Sequence, residues 1–147
     1  MSDTLPLGLD RSLIGAEFDS STSEPVAAED IRAYADALGE AHPSYLGPDP
    51  IAPPTFCVKF RGTRFHHTAI PREAFHGGFD AGKDIHFGVP IRPGDVIHTR
   101  NVLHDVYEKT GRSGHMAFLV RRNTYTNQEG DPLAVVDVST VFREIER

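Results

Sequence analysis

The segment Glu40-Ala41-His42-Pro43-Ser44-Tyr45 places a carboxylate, an imidazole and a phenol close together in the chain. A carboxylate and an imidazole can act as general base and general acid, and their proximity can tune either pKa. Glu40 and His42 are therefore candidates for a catalytic pair, although loop residues of these types are more often solvated. Tyr45 is a poor general base at neutral pH, because an unperturbed phenol has a pKa of about 10. We expect it to pack at an interface.

Other reactive side chains give weaker signals. The histidines at 66, 67, 76 and 86 are not spaced as the tight pairs on one element that zinc sites favour, so no metal and no cofactor is expected. Cys57 is the single cysteine, and it falls inside a predicted buried helix. We interpret it as a small core residue rather than a nucleophile.

Two helices are predicted to hold the segment 40–45. The first has apolar residues at helical spacing, which are Ala27, Ile31, Tyr34 and Leu38. Ser23 fits as its N-cap and Gly39 as the residue after its C-cap. Residues 40–50 contain three prolines and a glycine and are predicted as a loop. The second helix spans roughly 53–67 and is apolar most of the way round, which is typical of a buried helix.

The rest of the chain favours strands. Residues 1–12 are predicted as a loose arm and 14–18 as a short first strand, while residues 70–82 have no regular pattern. Alternating apolar residues predict strands over 83–87, 96–107, 115–127 and 133–143. The last three are about twice the mean strand length, so they can curl round a helix. The fold class is α+β: one domain over 1–147, with a long antiparallel sheet wrapped around a central helix.

Composition excludes several classes of function. The 147 residues are enough for one core, and a formal net charge of −6 argues against nucleic-acid binding. No apolar run approaches the roughly 20 residues that span a membrane, and the N-terminus does not resemble a signal peptide. One cysteine among 147 residues fits a reducing compartment. We expect a cytoplasmic protein.

Four segments together resemble the MaoC-like hydratase/dehydratase branch of the hotdog superfamily, over about residues 13–144. They are residues 34–45, the run Ile51-Ala52-Pro53-Pro54-Thr55-Phe56, residues 86–95 and residues 107–114. The resemblance implies a hotdog fold and reversible addition of water to an enoyl thioester. That reaction needs a carboxylate and an imidazole on one water, and donors on the thioester oxygen where charge develops.

The chain departs from the catalytic members of that family at two places. Their dyad reads Asp-x-Asn-Pro-x-His, and the same frame here puts Glu40 for Asp, His42 for Asn and Tyr45 for His. The extra methylene of Glu moves its carboxylate by about 1 Å, which can cost on the order of a hundredfold in rate. The glycine N–H that serves as oxyanion donor aligns with Pro53 or Pro54, and proline has no N–H. The N–H of Thr55 is the alternative donor.

These losses resemble the non-catalytic subunits of heterodimeric 3-hydroxyacyl dehydratases, which belong to the amino-terminal type of fatty-acid-synthase-like dehydratase domains. The resemblance implies a subunit that shapes an acyl tunnel for an acyl-CoA or acyl-carrier-protein thioester, beside a catalytic MaoC-like partner. Its substrate-binding residues would be Tyr45, Pro54, Thr55 and Phe56. Surface arginines are candidates for phosphate contacts to a pantetheine carrier; they are Arg61, Arg64, Arg72, Arg92, Arg112, Arg121 and Arg122.

Two alternatives stay open. One is a homodimeric hydratase or dehydratase with a diverged site built on Glu40 and His42. The other is an acyl-thioester binding or scaffold protein that catalyses no reaction. In each case we expect a dimer in which two sheets join edge to edge, because soluble proteins avoid long open sheet edges.

Overall fold

A five-stranded antiparallel sheet forms the centre of the computed structural model, which describes residues 6–64, 78–112 and 114–143. The strands are β1 (Glu17–Thr22), β2 (Phe79–Phe87), β3 (His98–Gly111), β4 (Gly114–Thr126) and β5 (Pro132–Arg143). Their order across the sheet is β1-β3-β4-β5-β2, so β1 and β2 form its two edges. The predicted meander of three long strands is confirmed as β3, β4 and β5.

The long strands form because apolar side chains alternate along them. In β5, Ala134, Val136 and Phe142 are buried on the inner face, as the sequence pattern predicts. The turn between β4 and β5 is closed by Asn127, whose side-chain oxygen accepts hydrogen bonds from the N–H groups of Glu129 and Asp131 at 3.0 and 2.9 Å. The register of this hairpin therefore follows from local sequence.

The edge strand β2 is longer than the predicted strand at 83–87. A bulge between Asp80 and Gly82 shifts its pairing with β5, and Gly82 has a φ of 112°. The bulge interrupts the alternation of side chains, so the pattern at 79–82 reads as irregular although it pairs with β5.

Two α-helices precede the central part of the chain: α1 (Ala28–Ala37) and α2 (Pro43–Leu46). Gly39, with a φ of 75°, ends α1 as predicted. The N–H of Gly39 bonds the carbonyl of Asp36, and the N–H of Glu40 bonds the carbonyl of Ala35, both at 2.9 Å. This double closure is the Schellman arrangement.

The start of α1 and the loop after it differ from the prediction. Ser23 does not cap α1, whose N-cap is Ala27; the Ser23 hydroxyl instead accepts from the N–H of Ile97 and donates to the carbonyl of Glu24. The predicted loop over 40–50 contains α2, because Pro43 suits the first turn of a helix and His42 supplies the cap.

The N-terminal predictions are also wrong in part. The first strand is Glu17–Thr22 rather than 14–18, because Arg11–Leu13 form a 3-10 turn capped by Asp10 and delay the strand. The arm is not loose over its described part, since Leu9 is only 2% exposed and packs in a cluster with Leu103, Leu119 and Phe142.

The central helix begins where the sequence predicts it but ends early. It is a 3-10 helix, Pro54–Phe60, with Phe56 and Cys57 buried and Phe60 packed against the same core. Thr55 and Lys59 are exposed, so one side faces solvent rather than core. The predicted extent to residue 67 is wrong for 61–64, which are not helical, and residues 65–67 lie outside the described residues.

Polar side chains from β3 and β4 explain the early end. Thr99 donates its hydroxyl to the carbonyl of Phe60 at 2.7 Å, and the side-chain amides of Asn101 and Asn123 both donate to the carbonyl of Arg61. These bonds occupy carbonyls that a further helical turn would use as acceptors. The polar row divides the inner face between two apolar clusters, one around Phe56 and one around Leu103.

Within the described ranges, none of the helices has the length and apolar character that crossing a membrane requires.

Candidate functional site

An apolar cleft with a volume of about 150 Å³ lies at the start of the central helix. One wall is Tyr45 of α2, and a second is residues 51–54 with Cys57. The third is residues 87–91, which lead out of β2, together with Leu133 of β5. The side chains of Phe87 and Val89 stay 55% and 44% exposed, so they form the open rim of the cleft.

Backbone bonds between distant segments shape these walls. The N–H of Ala52 bonds the carbonyl of Ile91, and the N–H of Ile51 bonds the carbonyl of Ser44, both at 2.8 Å. Gly88 lies so close to β5 that a Cβ there would come within 1.9 Å of the carbonyl oxygen of Pro132. The position therefore accepts only glycine, and the cleft keeps its shape through main-chain contacts.

Of the described residues that line the cleft, two carry polar atoms in their side chains, Tyr45 and Cys57. The thiol of Cys57 donates to the carbonyl of Pro54 at 3.5 Å. Burial raises the pKa of Cys57, which keeps it protonated at neutral pH. Within the described part of the chain, no carboxylate and no imidazole lines the cleft.

Glu40 and His42 lie outside the cleft, and both residues are exposed. The backbone of Glu40 closes the end of α1, and the Nδ1 atom of His42 accepts a hydrogen bond from the N–H of Ser44 at 3.2 Å. The ring of His42 is 5.9 Å from that of Tyr45. The segment that carries the candidate pair thus presents only Tyr45 to the cleft.

The other predicted binding residues separate into two groups. Pro54 lines the cleft, whereas Thr55 and Phe56 do not. Thr55 accepts a hydrogen bond from the hydroxyl of Tyr34 at 3.0 Å, and Phe56 is fully buried against the ring of the same tyrosine. Successive residues of a 3-10 helix project from different sides of it, so neighbours in one sequence motif need not line the same cleft.

Sequence reasoning did not select several apolar residues of the cleft as site residues, and four of these are Ile51, Val89, Ile91 and Leu133. Three of them lie in the segments whose resemblance identified the family, beside Pro53 and Gly88. The proline and the glycine, which interrupt secondary structure, were the signal in the sequence. Loop residues that follow a strand or precede a helix often line a binding site.

The described residues offer no metal site, and two of the seven arginines considered for phosphate contacts are engaged within the fold. Among the described residues, no group of His, Cys, Asp or Glu side chains could hold a metal ion, and His66, His67 and His76 lie outside them. Arg122 is engaged with Asp137 in two hydrogen bonds of 2.7 Å, and Arg121 is buried and donates to Asn123. Arg72 also lies outside the described residues.

A group of polar side chains, which we call the polar clamp, holds the turn that follows the central helix. Because the helix is short, the clamp also limits the position of its first residues. Besides the amides of Asn101 and Asn123, it contains Asp19 of β1, whose carboxylate accepts from the N–H groups of Thr63 and Arg64, both at 2.9 Å. Desolvation lowers the pKa of the neighbouring Arg121 guanidinium. The clamp connects three strands to the one turn that follows the helix.

Comparisons with known proteins agree with this architecture. The family described as "FAS1-like, dehydratase domain region" matches residues 12–136. A UPF0336 protein of Saccharopolyspora erythraea is 29% identical, with 92% of each chain covered. A chain of the ChsH1–ChsH2 complex of Mycobacterium tuberculosis superposes with a TM-score of 0.70 at 16% identity, covering 90% of this chain and 87% of that one.

A second similar structure is the HadBC (3R-hydroxyacyl-ACP dehydratase) complex of Mycobacterium tuberculosis. It gives a TM-score of 0.56 at 21% identity, covering 86% of this chain and 98% of that one. The structural similarity establishes the hotdog fold of the present chain. At identities of 16% and 21%, it establishes nothing finer than the fold.

Proposed function

The chain belongs to the FAS1-like dehydratase domain family of hotdog proteins, and from that premise we propose that it is the non-catalytic half of an enoyl-thioester hydratase or 3-hydroxyacyl-thioester dehydratase. In this proposal the cleft holds part of an acyl chain. A catalytic MaoC-like chain supplies the Asp and His that activate water.

The observation that carries the proposal is the chemistry of the cleft wall. Tyr45 stands in the frame of the catalytic histidine and reaches the cleft, while Glu40 and His42 are directed elsewhere. A neutral phenol is too weak a base to take a proton from water, so Tyr45 cannot replace an imidazole as the group that activates water. The cleft is therefore better suited to binding than to proton transfer.

The size and polarity of the cleft favour a hydrocarbon group. An enclosed apolar cavity of about 150 Å³ can hold benzene, so a cleft of similar volume has room for about six carbon atoms. Apart from the Tyr45 hydroxyl and the Cys57 thiol, the side chains that line it in the described part of the chain are apolar. A charged or heavily hydroxylated ligand would lose its hydration there without gaining partners.

The start of the central helix supports the absence of catalysis. Pro53 and Pro54 both lack an N–H, and the N–H of Phe56 already bonds the carbonyl of Pro53 at 2.9 Å. Loss of one oxyanion donor costs about 10²–10³ in rate, and among residues 53–56 only the N–H of Thr55 is left as a candidate donor, so stabilisation of the developing charge depends on Thr55 or on another chain.

A two-chain assembly is supported by the names of the similar structures, since ChsH1–ChsH2 and HadBC are both complexes. Among the described residues, no contact favours the alternative enzyme built on Glu40 and His42. The non-enzymatic alternative also uses the cleft to bind an acyl group. Only a measurement of hydratase activity with a catalytic partner distinguishes it from the proposal.

Reconstitution tests the proposal. This chain is purified alone, and also together with each MaoC-like chain of the same genome that carries Asp-x-Asn-Pro-x-His. Hydration of crotonyl-CoA is followed by loss of enoyl absorbance. We expect negligible turnover by this chain and clear stimulation of one catalytic chain. Absence of stimulation with every such chain would contradict the proposal and favour the non-enzymatic alternative.

A pair of tryptophan variants makes the test specific to the cleft. Val89→Trp fills the rim and is expected to lower stimulation, with its largest effect on KM. Leu38→Trp is the matched control, because Leu38 is 53% exposed at the end of α1, away from the cleft. Equal effects of the two variants on stimulation would show that the cleft has no specific role in it.

A further inference from the structure

A second pocket, with a volume of about 240 Å³, lies at the far end of the central helix. Its walls include Lys59 and Phe60 of the helix, Gly62 and Thr63 of the turn that follows, and residues 21–23 at the end of β1. Among the described residues, it shares none with the lining of the apolar cleft. The two pockets therefore lie at different ends of one helix and are separate sites.

Three side chains of this pocket have donors without a partner. The hydroxyls of Ser21 and Thr63 form no hydrogen bond with any described residue, and the ammonium of Lys59 forms an ion pair with none of the described carboxylates. Ser23 differs, because its hydroxyl accepts from the N–H of Ile97 at 2.9 Å. Donors that face one space without a partner are available to a ligand with acceptor oxygens.

These donors come from different elements and meet at the end of the helix. The Nζ atom of Lys59 lies 4.7 Å from the centroid of the Phe56 ring, and this contact holds the ammonium over the helix. Ser21 is the partner of Thr99 across the sheet, so the two side chains share the inner face. Because the hydroxyl of Thr99 bonds the carbonyl of Phe60, that face at Ser21 is directed to the helix end.

The charge around the pocket is positive, although the chain as a whole has a formal net charge of −6. Lys59, Arg61 and Arg64 place three cations within six residues, and all three residues are exposed. The carboxylate of Asp19 lies beside this turn, but it already accepts hydrogen bonds from the N–H groups of Thr63 and Arg64. The surplus of cations attracts an anion and repels a metal ion.

We propose that this pocket binds the phosphate group of a small phosphate ester, a ligand other than the occupant of the cleft. A phosphate group has three strong acceptor oxygens, which match the ammonium of Lys59 and the hydroxyls of Ser21 and Thr63. A carboxylate has two such oxygens, and a neutral sugar gains nothing from the ammonium. The pocket is larger than the cleft, so it has room for an organic group beside the phosphate.

Titration of the full chain with phenyl phosphate at low ionic strength tests the proposal, with Kd measured by calorimetry and supported by a rise in Tm. Lys59→Gln is expected to weaken binding by about tenfold or more, because it removes a charge-assisted hydrogen bond. Ser21→Ala is expected to weaken it by about two- to tenfold. Lys109→Gln is the matched control and should leave Kd unchanged. Lys109 is likewise exposed, and its ammonium lies 5.3 Å from the centroid of the Tyr107 ring.

Three results of this titration would overturn the proposal. The first is the absence of binding at millimolar phenyl phosphate. The second is an equal loss of affinity in Lys59→Gln and Lys109→Gln, which would show general attraction of an anion to surface lysines. The third is equal affinity for phenyl phosphate and inorganic phosphate, which would show that the organic group has no place in the pocket. Thr63→Val, at an exposed position, repeats the test if Ser21→Ala disturbs β1.

Two further titrations test whether the ligand is separate from that of the cleft. Val89→Trp, which fills the rim of the cleft, should leave the Kd for phenyl phosphate unchanged, and loss of binding would place the phosphate in the cleft. CoA should bind through Lys59 no more tightly than phenyl phosphate does. An affinity for CoA that is higher by about tenfold and lost in Lys59→Gln would assign the pocket to a thioester carrier. All of these readouts measure binding, so this site and the proposed function can fail independently.

Discussion

At the scale of single residues, Tyr45 and Pro54 connect the sequence to the cleft. Both were identified from the sequence, because each breaks a family motif at a position where chemistry needs another residue type. Thr55 and Phe56 came from the same motif but point to Tyr34 and to the core. An alignment gives the position of a residue along a helix, while its direction depends on whether the helix is α or 3-10.

Restoring the dyad in this chain tests the same residues. We expect the double variant Glu40→Asp with Tyr45→His to raise the hydration rate of the chain alone by less than about tenfold. A carboxylate and an imidazole that act together accelerate the reaction little when one of them is misplaced. The carboxylate at position 40 does not face the cleft, and Pro54 still lacks an N–H. Adding Pro54→Gly is expected to give the larger gain. A hundredfold gain from the double variant in the crotonyl-CoA assay would show that Glu40 does reach the cleft.

At the scale of elements, the beginning of the central helix was predictable and its end was not. The beginning depends on Pro53 and Pro54, which are local signals. The end depends on Thr99, Asn101 and Asn123, which are some 40 to 60 residues away in sequence and act through tertiary hydrogen bonds. The long strands were predictable because alternation is local, whereas β1 was shifted by the turn at Arg11–Leu13.

The turn after the central helix gives a stability prediction with a matched control. Gly62 and Gly130 have nearly equal φ values of 84° and 85°. A Cβ on Gly62 would lie 2.4 Å from a carboxylate oxygen of Asp19, whereas Gly130 has nothing within 4 Å. Gly130→Ala should cost about 1–2 kcal/mol for the left-handed backbone alone.

Gly62→Ala should cost at least about 1 kcal/mol more than Gly130→Ala, because it also disrupts the polar clamp. Urea denaturation with an unchanged m-value measures both. Equal shifts of the midpoint would mean that the clamp adjusts to the methyl group without loss.

At the scale of the whole molecule, one cross-strand ion pair connects stability to pH. Hydrogen bonds from the Arg122 guanidinium hold the pKa of Asp137 below its ordinary value. The pair therefore stabilises the fold fully above the carboxyl pKa of the unfolded chain, about 4. This stabilisation is lost as the pH falls through the lower pKa of the folded state.

Asp137→Asn is expected to lower the free energy of unfolding at neutral pH by about 1–2 kcal/mol, and by less below pH about 3. Urea midpoints at the two pH values provide the measurement. Asp36→Asn, at an exposed position on α1, is the control and should change neither midpoint appreciably. A deficit of Asp137→Asn that is equal at both pH values would assign the effect to packing rather than to charge.

The sequence describes the assembly of the chain only as an expectation. The sequence predicted the strand at 83–87 and a joined pair of sheets. The strand at 83–87 is confirmed as the last part of β2, whereas the joined pair of sheets stays a prediction. The cytoplasmic location and the identity of the thioester carrier stay predictions.

The central claim, that catalysis lies outside this chain, is tested most directly in the reconstituted complex. Hydration of crotonyl-CoA is measured with Glu40→Gln and Tyr45→Phe together in this chain, and separately with Asp→Asn in the motif of the catalytic chain. We predict a change of less than about twofold in kcat for the first complex and a loss on the order of 10²–10⁴ for the second. The account would be contradicted by a loss of that size in the first complex, or by turnover of this chain alone that Glu40→Gln abolishes.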